Sequence, residues 1–358
     1  MSLEQAAHAS APRAGILLVN LGTPDAPDAA SIRRYLREFL SDRRVVELPR
    51  AVWMPVLHGF ILPFRPRRLV HAYAKVWTPQ GSPLMVHSQA QATGLEPRLG
   101  VPVRLAMTYG SPSVEDGLAA LDAAGVQRVL VLPMYPQYSG TTTAAAFDAV
   151  ARVLARRRWL PELRFVNTYH DDAGYIGALA QSVNDHAAAH GRADHLLVSF
   201  HSIPQRCLEL GDPYHCYCHK TARLLAERLG LADGAWSIAF QSRLGNAPWL
   251  QPYTDVVIPE LAKRGVRTLD VICPGFPADC LETLEEVAIR YAEDFRTAGG
   301  GALRYIPALN ARPGHLDALE SIARRHLGGW EAPAPNDEAV RLARVERARP
   351  GSGMPSKP

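Results

Sequence analysis

Runs of four to eight apolar residues alternate along this chain with stretches whose apolar positions recur at helical spacing, the pattern of βα units laid into a parallel sheet. The runs predict strands near 15–21, 103–108, 128–132 and 163–167, and a second four near 195–200, 237–241, 268–272 and 303–306. Helical patterns such as 221–229, 279–291 and 316–326 fall between or after them. Leu196-Leu197-Val198-Ser199-Phe200 carries no charge and reads as a strand buried on both faces. Chain punctuation agrees: Asp28 or Ser31 can cap 32–40, Ser113 with Asp116 opens 114–123 as a capping box, and Gly230 follows Leu229 as a C-cap.

The pattern also repeats. Gly125-Val126 enters one predicted strand as Gly265-Val266 enters another, and Gly174-Tyr175-Ile176-Gly177-Ala178-Leu179 matches Gly314-His315-Leu316-Asp317-Ala318-Leu319, both 140 residues apart. The opening strands match at 179, Leu17-Leu18-Val19-Asn20 with Leu196-Leu197-Val198-Ser199. The expected fold is therefore α/β, with two similar Rossmann-like, doubly wound domains, each with a parallel four-stranded sheet, facing each other across a cleft. The first covers 14–168, with about 39 extra residues as a lip insert near the proline-broken 43–83; the second covers 169–330, and its last helix can pack on the first. Residues 1–13 and the proline- and glycine-rich 331–358 are expected to be disordered. On these offsets His201 corresponds to Gly22, Asp279 to Ser139 and Glu282 to Thr142, so the second half supplies the titratable groups.

Composition narrows the function. With 39 basic against 35 acidic residues and a net charge of +4, the chain is too balanced for a dedicated nucleic-acid binder. Five cysteines in 358 residues do not form a disulfide framework, so a reducing, cytoplasmic setting is expected. The first 13 residues lack the apolar run of a signal peptide. The stretch 51–64 is apolar but broken by Pro55, His58, Gly59 and Pro63; it is too short to span a bilayer and able to lie on one. No glycine-rich dinucleotide fingerprint, P-loop or G-x-S-x-G elbow occurs, which disfavours NAD, ATP and the common hydrolase chemistry.

Two stretches carry candidate chemistry. His201 stands just past the buried strand, where ligands bind in open α/β sheets, although a satisfied loop histidine fits the same position. Asp279, Glu282 and Glu286, spaced i, i+3, i+7, would share one face of a helix following the strand at 268–272. Such a stripe can bind a cation, take up protons, complement the helix dipole or simply be solvated.

Several motifs, in order, resemble the ferrochelatase family: Gly15-Ile16-Leu17-Leu18-Val19-Asn20-Leu21-Gly22-Thr23-Pro24, Gly81-Ser82-Pro83-Leu84, Pro136-Gln137-Tyr138-Ser139, Ser199-Phe200-His201-Ser202-Ile203-Pro204, Gly211-Asp212-Pro213-Tyr214 and Cys280-Leu281-Glu282-Thr283-Leu284. The resemblance runs from about 15 to 327. It implies two α/β halves around a porphyrin cleft and insertion of Fe2+ into protoporphyrin IX, the last step of heme biosynthesis. It also implies His201 and Glu282 as the catalytic and metal-handling pair, and Asp279 and Glu286 as a proton or metal relay. Leu21, Tyr109, Tyr138 and Trp249 would contact the substrate. Cys280 stands where some members carry a second histidine, and Thr108 where some carry arginine.

No permanently bound cofactor is expected, with Fe2+ as substrate. Some relatives carry a [2Fe-2S] cluster, but Cys216 and Cys218 in His215-Cys216-Tyr217-Cys218-His219 would point apart on a helix, and the four-cysteine set is not evident. Two rival readings remain: metallation of coproporphyrin III or another tetrapyrrole such as sirohydrochlorin, and a haem carrier using His201 as axial ligand. Leu21 rather than tyrosine leans toward protoporphyrin, and the acidic stripe argues for turnover. The segment 51–68, with Trp53, Leu57, Phe60, Ile61 and Phe64 beside Arg65, Arg67 and Arg68, is expected to form the cleft mouth. Its expected partner is the inner face of an anionic membrane, met peripherally.

Overall fold

The computed structural model describes residues 13–243, 245 and 247–330, so the expectations for 1–12 and 331–358 lie outside the described residues. The first half runs β1 (Arg13–Asn20), α1 (Ala29–Ser41), α2 (Arg50–Val56), a π-helical turn (Leu57–Ile61), α3 (Leu62–Val76) and α4 (Pro83–Leu99). It continues through β2 (Val103–Met107), α5 (Val114–Ala123), β3 (Val126–Pro133), α6 (Thr143–Leu154) and β4 (Glu162–Phe165). Then follow α7 (Ala173–His190), β5 (His195–His201), α8 (Gln205–Glu209), α9 (Tyr214–Leu229), β6 (Trp236–Gln241), α10 (Thr254–Lys263) and β7 (Thr268–Ile272). A π-helix (Glu282–Tyr291), α11 (Ala292–Thr297), β8 (Ala302–Tyr305) and α12 (Pro313–Leu327) complete it.

All eight predicted strands are present, in two parallel sheets of order β2-β1-β3-β4 and β6-β5-β7-β8. The matching orders agree with the repeat read from the sequence. Pairing register corrects its alignment, however. Leu17 lies opposite Val131, and Leu197 opposite Val271. Val131 and Val271 are 140 apart as expected, but Leu17 and Leu197 are 180 apart, not 179. A one-residue slip in a strand exchanges its two faces. The counterpart of His201 is thus Leu21, not Gly22: His201 is the last residue of β5, and Leu21 is the first after β1.

One core serves both halves. Ile16, Leu18 and Leu130 of the first sheet and Leu196, Val198 and Phe200 of the second belong to a single apolar cluster, joined through Leu95 of α4, Tyr175 of α7, Leu225 of α9 and Leu319 of α12. The outer faces close separately, Val19 and Val131 against α5 and α6, and Leu197 and Val271 against α10 and the π-helix. Helix α12 approaches α4 closely enough that a Cβ on Gly94 would lie 2.7 Å from a methyl of Leu316. Buried polar contacts lock the halves: Gln91 Nε2 donates to Pro277 O at 2.9 Å and to Asn310 O at 3.1 Å. Caps form as predicted: Asp28 accepts from Ala30 and Ser31, the Ser113/Asp116 box closes, and Gly230 takes φ 63°.

The insert between β1 and β2 differs in detail from its sequence reading. Leu57 is fully buried, and Trp53 Nε1 donates to Leu40 O at 2.6 Å, so neither faces outward. The exposed apolar residues are instead Leu48, Val52, Val56, Phe60 and Phe64, each four apart, with Phe60 68% and Phe64 61% exposed. A π turn has about 4.4 residues per turn, so it holds residues four apart nearly in line along a helix that would otherwise rotate them away. Among the described residues no helix is long and apolar enough to cross a membrane.

Candidate active site

His201 ends β5, where its backbone pairs with Gln241 of β6. Its Nδ1 lies 2.5 Å from Ser202 O. A carbonyl can only accept, so Nδ1 carries a proton, and the tautomer this selects has its lone pair on Nε2. The peptide carbonyl of His201 accepts from Tyr214 OH at 3.0 Å, which braces the strand end from α9. The loop beyond it is zipped to the segment carrying Trp249: Pro204 and Trp249 form an antiparallel bridge, and Ser202 Oγ donates to Leu250 O at 3.1 Å.

Gln241 ties this strand end to Glu282. Its Nε2 donates to Glu282 O at 3.2 Å, and its Oε1 accepts from Ser199 Oγ at 2.7 Å. One buried amide therefore fixes the start of the π-helix relative to the end of β5. Sequence reasoning did not single out Gln241; a lone glutamine at a strand end carries no signal of its partners.

The Glu282 side chain is half-buried and faces the first half. Burial raises the Tyr73 hydroxyl of α3 well above the ordinary phenol value, and the charge of Glu282 adds to it; the same two effects act on Tyr35 of α1, with Tyr73 contributing between them. Burial lowers the Arg65 guanidinium, and Glu282 opposes that shift. Arg65 is half-buried and within electrostatic reach of the carboxylate, while Arg67 and Arg68 remain exposed. This corrects both the reading of the three arginines as one surface cluster and the assignment of titratable groups to the second half alone. Leu21 and Leu281, one from each half, pack against the same cluster of Tyr35, Leu57, Leu62 and Tyr73. The Cys280 thiol is pushed well up by burial, with Glu282 adding to the shift.

The three carboxylates do not form one α-helical stripe. Asp279 precedes the helix, 5% exposed, and both its oxygens are occupied. Oδ1 accepts from Tyr305 OH at 2.6 Å, Thr283 Oγ1 at 3.1 Å and Ala308 N at 3.2 Å, and Oδ2 from Asn310 Nδ2 at 2.7 Å. That is a carboxylate holding a loop junction together. Glu286 shares the π-helix with Glu282 and, four residues on, lies on the same side of it. Glu286 is buried; it accepts from Ser242 Oγ, from Tyr291 OH at 2.7 Å and from Arg290 at 2.8 Å.

Tyr138 is half-buried in a loop anchored across the halves, where Asp212 Oδ2 accepts from Ser139 Oγ at 2.9 Å and Gly140 N at 2.7 Å. Two of the quoted motifs thereby meet. Tyr109 is turned into the first-half core: its hydroxyl donates to Asp42 at 3.0 Å and its ring meets Phe39 edge-on at 5.3 Å. Its backbone crowds the turn after Leu21. A Cβ on Gly22, at φ 119°, would lie 1.8 Å from Tyr109 O, so only glycine fits there. A further histidine, His87 of α4, senses the charge of Asp279: burial lowers its imidazole and Asp279 opposes the shift. The structure therefore draws His201, Glu282, Leu21 and Trp249 to the strand ends and joins Glu286 through the π-helix. Tyr109 and Asp279 are engaged by neighbouring protein groups, as is Glu286.

Comparison with known proteins follows the same lines. Over most of its length the chain is similar to the ferrochelatase of Thioalkalivibrio sulfidiphilus, 54% identical over 349 residues, covering 96% of this chain and 95% of the relative. It is 55% identical over 345 residues to the ferrochelatase of Azoarcus sp. (strain BH72), covering 95% of each. In fold it is similar to the solved structure of SirB from Bacillus subtilis with Fe3+, with a TM-score of 0.56 at 14% identity, covering 89% of this chain and 97% of that one. With residues 13–327 matching the ferrochelatase family model, the chain belongs to the ferrochelatase family of metal chelatases.

Proposed function

We propose that this protein inserts Fe2+ into protoporphyrin IX to give protoheme, with His201 and Glu282 at the reacting nitrogens. A free-base porphyrin must lose two pyrrole protons as the cation enters, so the site needs acceptors that also tolerate a divalent charge. Neutral imidazole with its lone pair on Nε2 can accept one proton or ligate a borderline metal, and carboxylate oxygens can do either. What supports the reading best is the tether from Gln241, which holds His201 and Glu282 at one strand end. Glu286, on the same side of the π-helix as Glu282, is the relay member; Leu21, Tyr138 and Trp249 supply area for a flat macrocycle. Anaerobic turnover with purified protein, Fe2+ and protoporphyrin IX, coproporphyrin III or sirohydrochlorin in turn tests it. Preference for a tetrapyrrole other than protoporphyrin, or binding without metallation, overturns the assignment.

The same reading includes peripheral contact with an anionic membrane at the cytoplasmic side. The apolar row from Leu48 to Phe64 supports it, together with exposed Arg67 and Arg68 and a cleft of about 310 Å³ lined by Arg33, Arg34, Arg37 and His58. Five free cysteines suit a reducing compartment. Vesicle flotation is expected to need both anionic lipid and the Phe60/Phe64 pair. Equal flotation of Phe60→Ser/Phe64→Ser and the parent would refute it.

A further inference from the structure

Helix α9 opens with His215-Cys216-Tyr217-Cys218-His219, and helical winding sorts these side chains. Cys218 is fully buried and Cys216 is exposed, as residues two apart must diverge. His215 and His219, four apart, turn the same way, with ring centroids 4.4 Å apart and planes at 46°. Both line a cleft of about 780 Å³ that also meets Cys216, Asp233 and Trp236. This cleft runs along α9 and is not the region between His201 and Glu282.

The spacing suits a shared cation. A borderline metal binds imidazole nitrogen at about 2.0–2.1 Å, so two cis ligands at 90–110° hold their ring centroids roughly 4.5–5.2 Å apart. The observed 4.4 Å lies about 0.1 Å below that range, so a small rotation of either ring reaches it. Phe240 forms a floor beneath both rings, 5.7 Å from His215 and 6.1 Å from His219, and restrains their rotamers. Burial lowers both imidazoles, which favours the neutral, ligating form. The basic residues at the rim are matched by acids, Lys220 by Asp171 and Arg223 by Glu227. A second pair four apart, His186 and His190, has centroids 4.6 Å apart but lacks this setting. His186 Nε2 lies 3.5 Å from Asp270, whose carboxylate is held by Arg304, and that guanidinium repels a cation.

We propose that His215 and His219 form a two-imidazole surface site for a borderline divalent cation such as Zn2+ or Co2+, separate from the site at His201. Among the described residues no third His, Cys, Asp or Glu completes a cluster, so water fills the remaining positions. Isothermal titration of the intact chain with Zn2+ tests the proposal in a His201→Ala background, which silences the other site. One Zn2+ per chain is expected to bind there. His215→Gln and His219→Gln should each weaken it about tenfold or more, because losing one of two linked donors removes the chelate advantage. Cys216→Ser should change nothing, and bound Co2+ should show no thiolate charge-transfer band. His219 is exposed, and an unchanged melting temperature in His219→Gln verifies the fold. No Zn2+ binding in the His201→Ala background, binding unaffected by His219→Gln, or binding lost in Cys216→Ser would each overturn it.

Discussion

Asp279 and Glu282 lie three residues apart and are expected to fail in opposite ways. Asn310 Oδ1 accepts from Asp279 N at 2.9 Å, which fixes the amide so that its Nδ2 faces Asp279 Oδ2. In Asp279→Asn the new NH2 must point either at that Nδ2 or at the three donors around Oδ1, so a buried donor meets a donor in both orientations. Losing a charge-assisted bond and leaving one buried donor unsatisfied costs about 3–5 kcal/mol. At roughly 2 °C per kcal/mol for a chain of this size, melting should fall by about 6–10 °C. Turnover of the folded variant should remain within a few-fold of the parent, since both oxygens are already engaged in holding the loop. Glu282→Gln should show the reverse: an unchanged melting temperature and a loss of about 100-fold or more in turnover, the range for removing a positioned proton acceptor. Differential scanning calorimetry and anaerobic metallation, run on both variants, decide. A parental melting temperature for Asp279→Asn, or parental turnover for Glu282→Gln, refutes the division of labour.

Other expectations follow from the same geometry. Gly22→Ala forces a Cβ into the Tyr109 carbonyl at a left-handed φ, and should lower stability by about 3 kcal/mol or more by thermal denaturation. His315 is fully enclosed, its Nδ1 donates to Asn310 O at 2.6 Å, and burial pulls its pKa down to about 4. The unfolded chain therefore takes up this proton first. The stability held by the neutral ring is intact above about pH 6.5 and is lost as pH falls from there toward 4, by about 3 kcal/mol in all. Urea unfolding across that window should show the slope, and His315→Asn should flatten it. Ending the chain after Trp330, whose Nε1 donates to Glu162 at 2.7 Å, should leave melting and turnover unchanged.

What the sequence determined by itself was whatever depends on short-range pattern. Strands buried on both faces are uninterrupted apolar runs, so β1, β3, β5 and β7 stood out, and the 140-residue repeat foretold two sheets of one order. His201 and Glu282 stood out as candidates because whole motifs, not isolated residues, contain them. Tertiary structure decided the rest, because the deciding partners lie far away along the chain. Sequence matching put His201 opposite Gly22, and only the pairing of Leu197 with Val271 moved its counterpart to Leu21. An i, i+3, i+7 spacing assumes one continuous α-helix; the helix begins three residues after Asp279 and winds as π, which keeps Glu286 on the side of Glu282 and leaves Asp279 to Asn310, 31 residues on. Arg65 read as one of three surface arginines, yet α3 packs on the π-helix and leaves it half-buried within electrostatic reach of Glu282. A charge finds its partner only when burial makes solvent too distant to compete, and no local pattern encodes which groups burial will bring together.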